Sequence, residues 1–102
     1  MNEVLNKLPQ FDAETLSLIF NAKKVDLHGL TKDEARFELL RSLQFVDVST
    51  KSLLIVHGYH NGTVLKNLVR KEFAHELVCK KIPVDSSQTL FVLDFKKIMK
   101  KN

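Results

Sequence analysis

The chain is poor in the residues that staple or interrupt a fold. Its 102 residues include one cysteine, two prolines, three glycines and no tryptophan. The lone cysteine, Cys79, excludes an intrachain disulfide and fits a reducing intracellular compartment. No internal repeat or low-complexity segment is present. No apolar run approaches the roughly 20 residues needed to cross a bilayer, so no membrane partner is expected. The start, Met1-Asn2-Glu3-Val4, lacks a basic stretch leading into an apolar one. No secretory signal is expected there, and the cytoplasm is the expected location. Asp26, His28, His57 and His60 have no spacing typical of zinc ligands, so no metal site is assigned. Charge of neither sign dominates: 16 Lys+Arg against 12 Asp+Glu gives a formal net charge of +4. That bias favours an anionic partner without singling out nucleic acid. The remainder, 44% hydrophobic and 27% charged, suits one soluble domain with a modest core.

The most informative stretch runs from Val25 to Ala35. Val25 and Leu27 alternate with Asp26 and His28, as on a strand with one apolar face. Gly29 then permits a turn that a Cβ would resist. Thr31 and Glu34 have the spacing of a capping box, with Leu30 and Ala35 placed as a hydrophobic staple. Two titratable groups therefore end a strand beside a helix N-terminus, a place that attracts anions.

The other elements follow from periodicity. Residues 1–23 form an N-terminal extension in which Pro9 and Asp12 open a short helix, with Leu16, Ile19 and Phe20 as its apolar positions. The first strand is expected over Lys24–His28 and the next helix over Lys32–Val46. Ala35, Leu39, Leu43 and Val46 line that helix, and Leu40 widens the stripe. Ser52–His57 is a continuous apolar run suited to an interior strand. A loop from His57 to Thr63 leads into a second helix, expected over Thr63–Leu77 with Leu65, Leu68, Val69, Phe73 and Leu77 apolar. Lys66 and Arg70 lie four apart on its polar face, near the loop. Strands Val78–Val84, weakened by Pro83, and Gln88–Phe95 follow, joined by a turn at Asp85-Ser86-Ser87. The basic tail, residues 96–102, is expected to fray. The order β-α-β-α-β-β predicts an α/β (α+β) two-layer sandwich with a four-stranded mixed sheet and both helices on one face. His28 and His57 then end strands at the same sheet edge, each before a glycine.

These residues carry a resemblance. Val25-Asp26-Leu27-His28-Gly29-Leu30, with Glu34-Ala35, resembles the Leu-Asp-Leu-His-Gly opening of the Smr (small MutS-related) domain. His57-Gly58-x-x-x-Gly62, with Leu65 after it, resembles that family's His-Gly-x-Gly-x-Gly motif. The likeness covers residues 24–95. It implies a fold similar to the C-terminal domain of translation initiation factor three. It also implies binding to RNA or DNA, with endonuclease activity in several members and ribosome association as a further expectation. The Asp-x-His of the first motif is implicated in cleavage, which places Asp26 and His28, with His57, as candidate catalytic residues. Gly29, Gly58, Tyr59, His60, Asn61, Gly62, Lys66 and Arg70 are the candidate nucleic-acid contacts.

Two departures bear on catalysis. His60 stands where the family has a second glycine, and Val84–Thr89 keeps only the threonine of a glycine-rich third signature. Blander readings stand beside the functional ones. Asp26 can be a solvated strand residue, His28 a turn residue, His57 a partner for a buried carbonyl, and Tyr59 a partly buried loop residue rather than a base-stacking one. Lys66 and Arg70 can be a solvated helix face. Three routes to cleavage stay open: His28 or His57 as acid or base with a 2′-hydroxyl nucleophile, Asp26 holding Mg2+ or Mn2+ to activate water, or Asp26 orienting His28. The last is limited by the 6–7 Å or so that separates residues two apart on a strand. Three functions follow, namely a nuclease, a nucleic-acid-binding module without turnover, and a protein-interaction adaptor.

Overall fold

The computed structural model describes residues 10–58 and 63–101. Tyr59, His60, Asn61 and Gly62 lie outside the described residues, as does Pro9. Asp12 caps a helix, α1 (Ala13–Phe20), by accepting the Thr15 amide at 2.8 Å. The chain then forms β1 (Lys23–Asp26), α2 (Lys32–Gln44) and β2 (Ser52–Val56). A short helix α3 (Val64–Asn67) continues as one π turn (Leu68–Glu72). Strands β3 (Val78–Asp85) and β4 (Gln88–Leu93) and helix α4 (Phe95–Lys101) complete the order.

The sheet runs β1-β2-β4-β3, with β1 parallel to β2 and the remaining pairs antiparallel. It is the four-stranded mixed sheet that the element order predicts. Asp26 is registered opposite Val56, so both motifs leave the sheet at the same edge. Pro83 is accommodated because β3 is an edge strand, irregular between Pro83 and Asp85.

Side-chain alternation divides the core between the two faces. Leu53 and Ile55 of β2 and Phe91 and Leu93 of β4 join Leu39, Leu43, Leu65, Leu68, Phe73 and Ile98 in the larger cluster. Leu54, Leu90 and Val92 face the other way and pack with Ile19, Leu18 and Phe11. The N-terminal helix thus covers the second face, fixed by Ser52 Oγ donating to the Leu18 carbonyl at 2.7 Å.

Several boundaries differ from the sequence reading, each for a local reason. Strand β1 ends at Asp26 rather than His28, because the Asp26 carboxylate accepts the His28 amide and starts a turn. Helix α2 ends at Gln44, although Val46 beyond it is buried. Leu40 is 45% exposed and Phe20 66%, so neither belongs to an apolar stripe. The second helix stops at Glu72, where the Phe73 amide reaches back five residues to the Leu68 carbonyl at 2.7 Å. Phe73 and Leu77 are buried nonetheless, and Phe73 stacks on Phe91 with 6.1 Å between ring centroids. Strand β4 ends at Leu93 because Asp94 caps α4, accepting the Lys97 amide at 3.1 Å. The tail expected to fray is this helix, and it buries Ile98 completely.

Candidate functional site

The turn after β1 is built by one side chain. Asp26 Oδ1 accepts the His28 backbone amide at 3.1 Å and the His28 ring Nδ1–H at 2.6 Å. The strand geometry that would keep the two apart has ended by then, which is why they meet. Their side chains are 52% and 71% exposed, so the pair faces solvent. The hydrogen bond to His28 holds the Asp26 carboxyl below its usual range, with the imidazole's charge adding to the effect. Nε2 of His28 has no hydrogen-bond partner among the described residues, and the ring is largely exposed. A carboxylate behind one imidazole nitrogen fixes tautomer and orientation and supports charge on the ring when the other takes a proton. Gly29 makes the turn at φ +83°.

The second motif meets the first through backbone. Gly58 adopts φ +71°, and a Cβ built on it would lie 3.4 Å from the Cβ of His28. Glycine is needed there for that conformation, and the built Cβ would sit at ordinary contact distance from His28.

His57 is brought to the same edge but turned inward. It is 3% exposed, and both ring nitrogens are engaged. Nδ1 lies 3.1 Å from the Gly58 carbonyl, which can only accept, so Nδ1 carries the proton. Nε2 lies 2.9 Å from Thr89 Oγ1. Burial lowers the His57 pKa, and the charges of Arg70 and Lys66 lower it further. The ring is therefore neutral, and Nε2 accepts the Thr89 hydroxyl proton. His57 offers no nitrogen to a substrate.

Arg70 is likewise turned inward. Its Nε donates to Thr89 Oγ1 at 2.7 Å, and Nη2 donates to the carbonyls of Asp85 and Gln88. Lys66 is half-buried on α3. Asp85, in the segment where a glycine-rich signature was expected, is buried and organises the β3–β4 turn. Its carboxylate accepts the Ser87 amide at 2.8 Å, the Ser87 hydroxyl at 3.0 Å and the Gln88 side-chain amide at 2.8 Å. Thr89 and Asp85 are the site-edge residues that sequence reasoning did not single out as partners of His57 and Arg70. Their signal was position, at the β3–β4 turn and the start of the strand that pairs with β2, with Thr89 also the one residue kept from the third signature.

The N-terminus of α2 is capped by its own side chains. Its capping box is complete, Thr31 and Glu34 satisfying each other's amides at 2.9 and 3.2 Å, and Asp33 and Glu34 put two carboxylates in the first turn. Lys32 there is paired with Glu72 at 2.6 Å. Among the described residues no group of three or more His, Cys, Asp or Glu side chains is arranged to hold a metal ion. None of the helices among them is long and apolar enough to cross a membrane.

A parallel β-α-β opening, two glycine turns at one sheet edge and an exposed aspartate–histidine pair define a small α+β domain, and its family match places it in the nucleic-acid-binding, nuclease-like class. The Smr domain model matches residues 25–82, more than half of the chain, and the chain belongs to that family. No curated protein and no solved structure matches it. The matched segment ends before β4, so the Thr89 contacts to His57 and Arg70 lie beyond it.

Proposed function

We propose that the protein binds nucleic acid and cleaves RNA, with His28 as the acid–base group and Asp26 as the residue that orients it. The observation that carries this is the 2.6 Å contact between Asp26 Oδ1 and His28 Nδ1 on an exposed edge. A neutral His28 Nε2 takes the proton of a ribose 2′-hydroxyl, whose oxygen attacks the adjacent phosphorus. The O2′–P bond forms, the P–O5′ bond breaks, and O5′ takes a proton from solvent. The products are a 2′,3′-cyclic phosphate and a 5′-hydroxyl. This route needs one imidazole and a ribose, which matches a site with a single outward-facing histidine among its described residues. A route through Mg2+ or Mn2+ would rest on Asp26, whose Oδ1 already accepts two hydrogen bonds from His28.

Binding without turnover is the second reading, favoured by the burial of His57, which removes that imidazole as a second acid. One experiment separates the two. Labelled single-stranded RNA, the same RNA with a 2′-deoxy nucleotide at the cut, and DNA are incubated with the protein, with and without chelator. Chelator-resistant cleavage of RNA alone, ending in a cyclic phosphate, is expected. It should fall about 10²–10⁴-fold in His28→Ala. Cleavage that survives both His28→Ala and Asp26→Ala refutes the proposal, and binding without products establishes the second reading.

A further inference from the structure

The dyad does not use the buried polar chain that runs through four elements behind it. Arg70 comes from the π turn after α3, Thr89 from β4, His57 from the end of β2, and Gly58 from the turn against His28. Each link is a hydrogen bond: Arg70 to Thr89 at 2.7 Å, Thr89 to His57 at 2.9 Å, and His57 to the Gly58 carbonyl at 3.1 Å. A second arm reaches the same glycine through the backbone. The His57 and Gly58 amides both donate to the Ser87 carbonyl, at 2.9 and 3.1 Å. The turn that carries Ser87 is bracketed by Arg70, whose Nη2 donates to the carbonyls of Asp85 and Gln88. One guanidinium thus fixes both arms, and both arms end on Gly58, whose amide and carbonyl are each committed.

We propose that Arg70 and Thr89 are positioning residues for His28. They hold His57 as an Nδ1–H imidazole, which clamps Gly58 in its left-handed conformation beside the His28 Cβ. The proposal builds on the reading of His28 as the reactive group, but the clamp itself can be observed without any activity. If the chain only added stability, apolar residues filling the same space would serve as well, since buried polar networks contribute little net stability over such a replacement. What an apolar filling cannot do is orient a peptide group. An error of about 1 Å at a reacting group costs up to about 10²-fold in rate.

The test uses the full chain and three variants. Thr89→Val keeps the shape and removes the hydroxyl, Thr89→Ser restores the hydroxyl, and Arg70→Lys keeps the charge and loses the fork. Nitrogen NMR of the imidazoles should show the wild-type His57 protonated on Nδ1 and bare on Nε2. In Thr89→Val the His57 Nε2 resonance should move with the loss of its donor, and the His28 and Gly29 amide signals should move with it, while far-UV circular dichroism stays native. On single-stranded RNA, kcat should fall roughly 10- to 100-fold with KM unchanged. Thr89→Ser should return all three readouts to wild type. An Nε2–H or doubly protonated His57 in the wild type overturns the proposal. So does a folded Thr89→Val protein with unmoved His28 and Gly29 signals or an undiminished kcat. If Arg70→Lys does not fold, the two Thr89 variants decide. If the wild type cleaves nothing, the RNA-cleavage reading fails, and the NMR signals of His57, His28 and Gly29 still decide the clamp.

Discussion

Replacing Ile98 by alanine tests whether the C-terminal residues belong to the domain. The sequence there is a run of lysines with three apolar residues, and a frayed tail would lose nothing by the change. In the structure Ile98 is fully buried within the main core, on a helix capped by Asp94. Truncating a buried isoleucine to alanine costs about 2–5 kcal/mol, the spread reflecting how far the surroundings collapse into the gap. Helix α4 has seven residues and one neighbour in sequence, so it can shift inward, and the lower part of that range applies. A loss of about 2–3 kcal/mol is a large fraction of the roughly 5–15 kcal/mol typical of a domain. At roughly 4–8 °C per kcal/mol for a domain of this size, the melting midpoint should fall by about 10–20 °C. Urea titration followed by circular dichroism should show the lower midpoint at unchanged slope. Met99→Ala is the internal control, because Met99 is 54% exposed and should change stability by less than about 0.5 kcal/mol. Equal effects from the two variants would refute the docking of α4.

Gly58→Ala should destabilise by about 1–2 kcal/mol, since it forces a Cβ into a left-handed conformation; a wild-type melt would refute the conformation. His57 titrates lower in the folded state than in the unfolded one, where its pKa is about 6.5. The unfolded chain therefore binds more protons below that pH, so stability is intact above about pH 6.5 and is lost as the pH falls through the lower folded value. His57→Gln should flatten that limb in melts taken between about pH 7 and pH 5, and an unchanged limb would refute the burial argument. Binding to single-stranded RNA should weaken steeply with salt, and Lys66→Ala should lower the slope of log K against log salt by about one unit. Arg70→Ala should leave that slope unchanged and instead lower the melting midpoint, because its guanidinium is spent on the β3–β4 turn.

Much of the fold was legible because its signals are local. The β-α-β opening, the capping box at Thr31 and Glu34 and the shared edge of the two motifs all follow from neighbours in sequence. The second helix shows where such signals stop. Leu65, Leu68, Val69, Phe73 and Leu77 are all buried, as the spacing requires, yet the helix ends at Glu72. Periodicity reports which side chains are inside, and a non-helical segment with a turn after the π turn can put Phe73 and Leu77 there as well as another helical turn could. Nothing between Phe73 and Leu77 is a proline or glycine, so no residue announces the change. In the tail the signal existed and was outweighed: Asp94 before Phe95, Ile98 and Met99 is a cap before an apolar face, set among lysines that suggested solvent.

The site divides along the same line. The contact between Asp26 and His28 spans two residues and is made by a turn that Asp26 itself starts. That is why the first motif can be read without a structure. The contacts that give His57 and Arg70 their roles span 32 and 19 residues, and both end on Thr89. They exist only because β4 inserts between β2 and β3, an order that the element sequence permits without requiring. Charge and spacing placed Lys66 and Arg70 on one helix face as equivalent cations. The sheet order makes them unequal, leaving Lys66 on the short helix and drawing the Arg70 fork into a turn rich in backbone carbonyls. A guanidinium with three acceptors inside the fold is held there by the cost of leaving those carbonyls and the Thr89 hydroxyl unpaired. The same cost makes His57 a neutral internal partner, and it leaves His28 as the exposed imidazole of the described edge.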